Sequence, residues 1–182
     1  MKATGVVRRI DDLGRIVIPK EIRKTLRIKE GTPLEIFTEK DGDIILKKYS
    51  PIGELSTFSA QYVESLANIT NFTSIVTDKD SVIAISGAPK KDFLEQSISK
   101  DLEEIIEKRQ IYIGTQGNLV PITSKQSYND LEFSQVIVPI ISDSEVIGSI
   151  VLQSKEPGKN ITDAHVEIAK VAADFLGNQM IV

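Results

Sequence analysis

The sequence predicts an α+β protein in two units: a small, basic, strand-rich head over residues 1–50 and an acidic body over residues 51–182, in which helices flank an antiparallel sheet. Three observations lead there. Residues 1–50 carry 12 Lys+Arg against 8 Asp+Glu, whereas residues 51–182 carry 10 against 18. The head's apolar residues come in short β-branched runs, broken by Asp-Leu-Gly and Asp-Gly turns. The body alternates apolar stripes of helical period with long apolar runs of strand type.

The elements follow in chain order. Residues 3–10 read as a strand entering the turn Asp11-Asp12-Leu13-Gly14, and Arg15-Ile16-Val17-Ile18 as a second strand. Pro19 suits the first position of a helix over Lys20 to Arg27, with Ile22 and Leu26 as its apolar stripe and Gly31 as its stop. Residues 33–38 and 43–48 form a hairpin around Asp41-Gly42, where glycine supplies positive φ. Residues 49–53 read as a linker. Glu54 to Ile69 is a helix striped by Leu55, Phe58, Tyr62, Leu66 and Ile69. Residues 74–77 and 82–85 are strands, residues 92–96 and 100–109 helices, and residues 110–133 loop with short strands. Residues 135–141 and 146–152 form a central hairpin. A last helix, capped by Thr162, runs to about Met180 with Ala169, Ala172, Phe175, Leu176 and Met180 as its stripe.

Composition removes several functions. The absence of cysteine excludes disulfides, thiolate metal sites and a cysteine nucleophile. A single histidine, His165, leaves little for a metal site or a Ser-His-Asp triad. No apolar run nears the roughly 18 residues that span a bilayer, and no signal peptide is visible, so a cytoplasmic protein without a membrane partner is expected. Gly114-Thr-Gln-Gly117 lacks the Lys-Ser/Thr of a phosphate loop and marks turns. The three Asn-Xaa-Thr triplets at 68, 71 and 160 read as caps or turns. The acidic run Asp101, Glu103, Glu104 and Glu107 reads as a solvated helix face. No catalytic residue or metal site is assigned.

The head raises an energetic problem. About 48 residues with few large apolar side chains bury too little surface to offset their ordering entropy. Without disulfide or metal, oligomerisation is the remaining staple, and an intertwined dimer follows. The head also gathers charge. On a helical wheel with Arg23 at zero, Arg27 falls near 40°, Lys20 near 60° and Lys24 near 100°, with Ile22 and Leu26 on the other side. Arg8, Arg9 and Arg15 lie on or beside the preceding strands. Guanidinium forks match phosphate oxygens and guanine edges, so this cluster, doubled by a two-fold axis, suits duplex DNA. Asp11-Asp12 reads as turn chemistry that can orient Arg8 or Arg15.

Residues 5–26, with the core Asp12-Leu-Gly-Arg-Ile-Val-Ile-Pro-Lys20, resemble the DNA-binding domain of AbrB-type transition-state regulators. Pro33–Phe37 and Ile44–Tyr49 continue the match. The resemblance implies a swapped-hairpin β-barrel made by two chains over residues 1–50. It carries the DNA-contacting positions onto Arg8, Arg9, Arg15, Arg23 and Lys24. Lys24 stands where arginine is common, keeping the charge without the fork. Residues 51–182 resemble a GAF domain through the hairpin Val138-Pro-Ile-Ile…Val146–Leu152. They are read as a regulatory and oligomerisation unit whose small-molecule ligand, if any, is unidentified. The cyclic-nucleotide signature and the bilin cysteine of other GAF domains are absent. The joint resemblance is to sporulation regulators. It implies a homotetrameric activator and repressor of late, forespore-specific genes, with no enzyme activity. The alternative is an AbrB-type antitoxin and autorepressor, since such heads also occur in toxin-neutralising proteins.

Overall fold

A computed structural model describes residues 4–54, 56–115, 117–128, 134–154, 156 and 158–179. The chain forms two compact units, Met1–Tyr49 and Ser50–Val182.

The head contains helix α1 (Lys20–Thr25) and the antiparallel hairpin of β1 (Leu34–Thr38) and β2 (Ile44–Lys48). Gly42 at φ 87 lets the chain reverse, and Glu39 and Asp43 close the loop by a 3.0 Å backbone bond. Two expected strands, at 3–10 and 15–18, form no ladder among the described residues. The chain there turns back on itself, with the Asp11 N–H donating to the Arg15 carbonyl at 3.0 Å, but among the described residues no backbone bond continues the pairing beyond that turn.

The head helix also departs from expectation. Pro19 is its N-cap, one residue outside it. It ends at Thr25 rather than at Arg27, because Arg27 takes φ 53. The Ile28 N–H then donates to the Arg23 carbonyl at 2.8 Å, and the Arg27 N–H to the Lys24 carbonyl at 3.3 Å, closing the last turn. Leu26, half of the expected apolar stripe, is 54% exposed.

The body is a five-stranded antiparallel sheet in the order β4-β3-β7-β6-β5. Its strands are β3 (Thr73–Asp78), β4 (Val82–Ser86), β5 (Tyr112–Thr115), β6 (Ser134–Ser142) and β7 (Glu145–Ser154). β6 and β7 join through Asp143 and Ser144, both at positive φ, the backbone of a two-residue primed turn. Helices α3 (Ser56–Thr70) and α5 (Asp163–Asn178) cover one sheet face, where Val63, Leu66, Ala169, Ala172 and Leu176 pack on Val76, Val138, Ile140, Ile150 and Leu152. Helix α4 (Lys100–Glu107) covers the other, where Leu102, Ile105 and Ile106 pack on Ile75, Ile85, Ile137 and Val151. Odd and even strand residues thus feed two separate cores.

Three body expectations are corrected. Residues 49–53 are no simple linker: helix α2 spans Pro51–Glu54, and Ile52 is 1% exposed within the body core. Residues 92–96 form no α-helix: Asp92 ends a 3-10 helix at Lys90–Asp92, and Phe93 to Glu95 continue as a turn. On α3 the buried face is Ser59, Val63, Leu66 and Thr70, while Ile69 is 71% exposed. Thr70 tolerates burial because its hydroxyl donates to the Leu66 carbonyl at 2.7 Å. Met180 and the Leu55 side chain lie outside the described residues. No described helix is long and apolar enough to cross a membrane.

Candidate nucleic-acid interface

The candidate surface begins at the turn between Asp11 and Arg15. Gly14 takes φ 77 and its N–H donates to the Asp11 carbonyl at 3.1 Å. The Asp11 side chain locks the turn: Oδ1 accepts the N–H of Leu13 at 3.0 Å and of Arg15 at 2.7 Å. Its other oxygen, Oδ2, accepts from Nε of Arg15 at 2.8 Å. Those donors, the Arg15 backbone first and its guanidinium second, hold the Asp11 carboxyl below the usual carboxylate range.

The other four residues are also exposed. Arg8 donates from its guanidinium to the Val7 carbonyl at 3.0 Å. Arg9 follows it in the same segment and is exposed. Arg23 and Lys24 lie in the last turn of α1, and Nε of Arg23 reaches back to the Ile18 carbonyl at 3.2 Å. One chain therefore ties Arg15 to the first turn and Arg23 to the segment before the helix. Arg27, placed by the wheel on the same basic face, has left the helix, so that expectation fails.

The head's apolar residues explain why a single copy looks unfinished. None of the described residues 4–49 is buried. Val7 is 84% exposed, Val17 71%, Ile36 67% and Ile44 62%. A soluble protein keeps so large an apolar share exposed only where a partner covers it.

Exposed basic groups on a hairpin-based head without buried described residues, followed in the chain by a sheet-and-helix body with two cores, fit the class of DNA-binding regulators. Comparison with known proteins agrees. The family described as stage V sporulation protein T C-terminal, transcription factor, matches residues 54–181. That described as MazE, a bacterial antitoxin, matches residues 7–54. Stage V sporulation protein T of Bacillus subtilis is 43% identical over 180 residues, covering 99% of both chains. The transition state regulatory protein AbrB of the same organism is 59% identical over 51 residues, 28% of this chain and 52% of that protein. The GAF domain of an Acinetobacter phosphoenolpyruvate-protein phosphotransferase has the body's fold, with a TM-score of 0.57 at 14% identity over 74% of this chain and 84% of that one. The chain belongs to the stage V sporulation protein T family of transcription factors.

Proposed function

We propose that this transcription regulator binds duplex DNA through paired heads, with Arg8, Arg9, Arg15, Arg23 and Lys24 of each chain at the interface. Lys and Arg neutralise phosphates, a few guanidinium groups read major-groove edges, and DNA shape supplies the remaining specificity. The observation that carries this reading is that none of the described residues 4–49 is buried while all five cations are exposed. Pairing two heads covers the apolar surface and doubles the charge in one step. Likeness to stage V sporulation protein T supports control of late, forespore-specific genes, with both activation and repression.

The antitoxin reading rests on the head alone. Antitoxins of this type usually carry a short disordered toxin-binding tail, whereas residues 50–182 here fold around two apolar cores. That favours a regulator. The body's proposed role is regulation and assembly into a tetramer rather than catalysis. The test is affinity for duplex DNA across a salt series, using the full chain. A steep salt dependence that falls when the five cations are removed supports the interface. An unchanged slope removes it.

A further inference from the structure

A carboxylate close to a DNA-binding surface repels phosphate, so Asp11 must contribute something that outweighs this. Its geometry shows what. The two backbone bonds to Oδ1 already fix the turn, and Oδ2 is left for the Arg15 side chain. That bond uses Nε, the inner nitrogen of the guanidinium. Among the described residues, the two terminal nitrogens of Arg15 have no protein partner. The Arg15 side chain is 69% exposed, so nothing else restrains it. A long flexible side chain is thereby held at its root while its forked end stays available.

We propose that Asp11 is a positioning residue that gives Arg15 its sequence selectivity: by gripping Nε it presents the terminal fork in one orientation to a base edge. This rests on the reading that Arg15 meets DNA. A free Arg15 would still attract phosphates as a point charge. It would lose the fixed bidentate geometry that separates one base pair from another. Asp11 therefore trades non-specific attraction for discrimination.

Asp11→Asn separates the two roles. The amide oxygen can still accept the Leu13 and Arg15 N–H groups, but the amide nitrogen is a donor and cannot accept from Nε. The full-length chain is tested on two probes: a duplex enriched from a random pool by the wild-type protein, and a duplex of the same composition in scrambled order. Asp11→Asn should weaken binding to the enriched duplex about tenfold, while binding to the scrambled duplex stays level or tightens because a negative charge is gone. Asp11→Ser, which keeps a turn acceptor, should behave alike. In an Arg15→Ala background, Asp11→Asn should cause no further loss of selectivity. Equal loss on both probes would make Asp11 a structural turn residue, and no loss on either would make the pair incidental. Both overturn the proposal. If Arg15→Ala alone leaves both affinities unchanged, Arg15 is not at the interface, and the underlying reading fails instead.

Discussion

Gly177 of α5 lies against Ile141 of β6 so closely that a Cβ built on it overlaps the Ile141 carbonyl oxygen. The helix backbone thus approaches the sheet without an intervening side chain, and Ala169, Ala172 and Ala173 keep the rest of α5 close. Gly148 on β7 meets the Thr77 carbonyl oxygen in the same way. Gly177→Ala must displace either helix or strand, and overpacking of this kind costs about 1–3 kcal/mol. Urea unfolding at one fixed protein concentration checks it. Unchanged stability would mean that α5 can shift freely.

The small residues of α5 also show what the sequence concealed. Their spacing offers Ala169 and Ala172 as a place where another chain's backbone approaches, with Phe58, Leu66, Phe175 and Leu176 filling that seam. Ala169, Ala172, Leu66 and Leu176 are instead buried in the chain's own core, while Phe58 is partly buried and Phe175 exposed. A helical stripe has an angular position but no label for what covers it. The first hairpin was legible because Asp41-Gly42 offers the positive φ of a tight turn, which Gly42 takes, and the second because two apolar runs flank the polar residues 142–145. The strands expected at 3–10 and 15–18 are not realised, because local pattern promises an extended chain while pairing depends on what lies beside it. The exposure of the five cations was readable from their polar, strand-and-helix setting. What Asp11 does to Arg15 needed coordinates, since sequence offers Arg8 equally.

Ile52 tests where the body begins. It is 1% exposed in the core beneath α3 and α5, although it sits where the sequence suggests a linker. Ile52→Ala should cost about 2–5 kcal/mol, the range for deleting a buried large aliphatic side chain. Thermal melting of the full chain reads it. A loss within error would return residues 49–53 to linker status.

His165 predicts a pH dependence. Its Nδ1 accepts the Thr162 N–H at 3.1 Å and lies 2.8 Å from the Thr162 hydroxyl, so the neutral ring carries its proton on Nε2. Phe72 packs edge-on at 4.6 Å. Burial first, and Lys159 second, hold the imidazole below its ordinary value of 6.5. The unfolded chain then binds more protons, so this contribution is full above pH 6.5 and is lost as pH falls through the lower folded value. His165→Gln keeps an acceptor for the helix N-terminus without titrating. It should match wild type at neutral pH and remove the loss that wild type shows as pH falls below 6.5. Parallel pH profiles for both proteins would contradict this.

Arg15→Ala and Arg23→Ala should each weaken DNA binding and lower the salt slope by about 0.9 for every phosphate that the variant no longer neutralises. Arg23 carries a second role, because its bond to the Ile18 carbonyl ties α1 to the preceding segment. Arg23→Lys keeps the charge but loses Nε, so it should recover less binding than Lys24→Arg, which adds a fork without breaking a known bond. Titrations with circular dichroism controls distinguish charge from geometry. Equal affinities for wild type, Arg23→Lys and Lys24→Arg would leave phosphate attraction as the only contribution of these positions.

The final prediction concerns assembly. Heads that lack buried residues need one partner surface, and the outer faces of α3 and α5 offer another. Phe58, Tyr62 and Phe175 stack there, with ring centroids 5.5–6.0 Å apart, and Phe175 is 39% exposed. Ile69 at 71% and Val171 at 65% exposure extend this apolar surface on the same two helices. Two copies meeting here would bury aromatic surface that one chain leaves in water, the kind of contact that dominates interface energetics. If heads and bodies pair different chains, two self-complementary interfaces close a tetramer with dihedral symmetry. Phe175→Glu in the full chain should break the body interface alone and give a dimer held by its heads. Light scattering over a concentration series should show half the wild-type mass, with affinity for an isolated DNA half-site retained and the gain from paired sites abolished. A Phe175→Glu protein that keeps the wild-type mass would place the second interface elsewhere. A wild-type chain that is itself dimeric would leave the tetramer without its second interface.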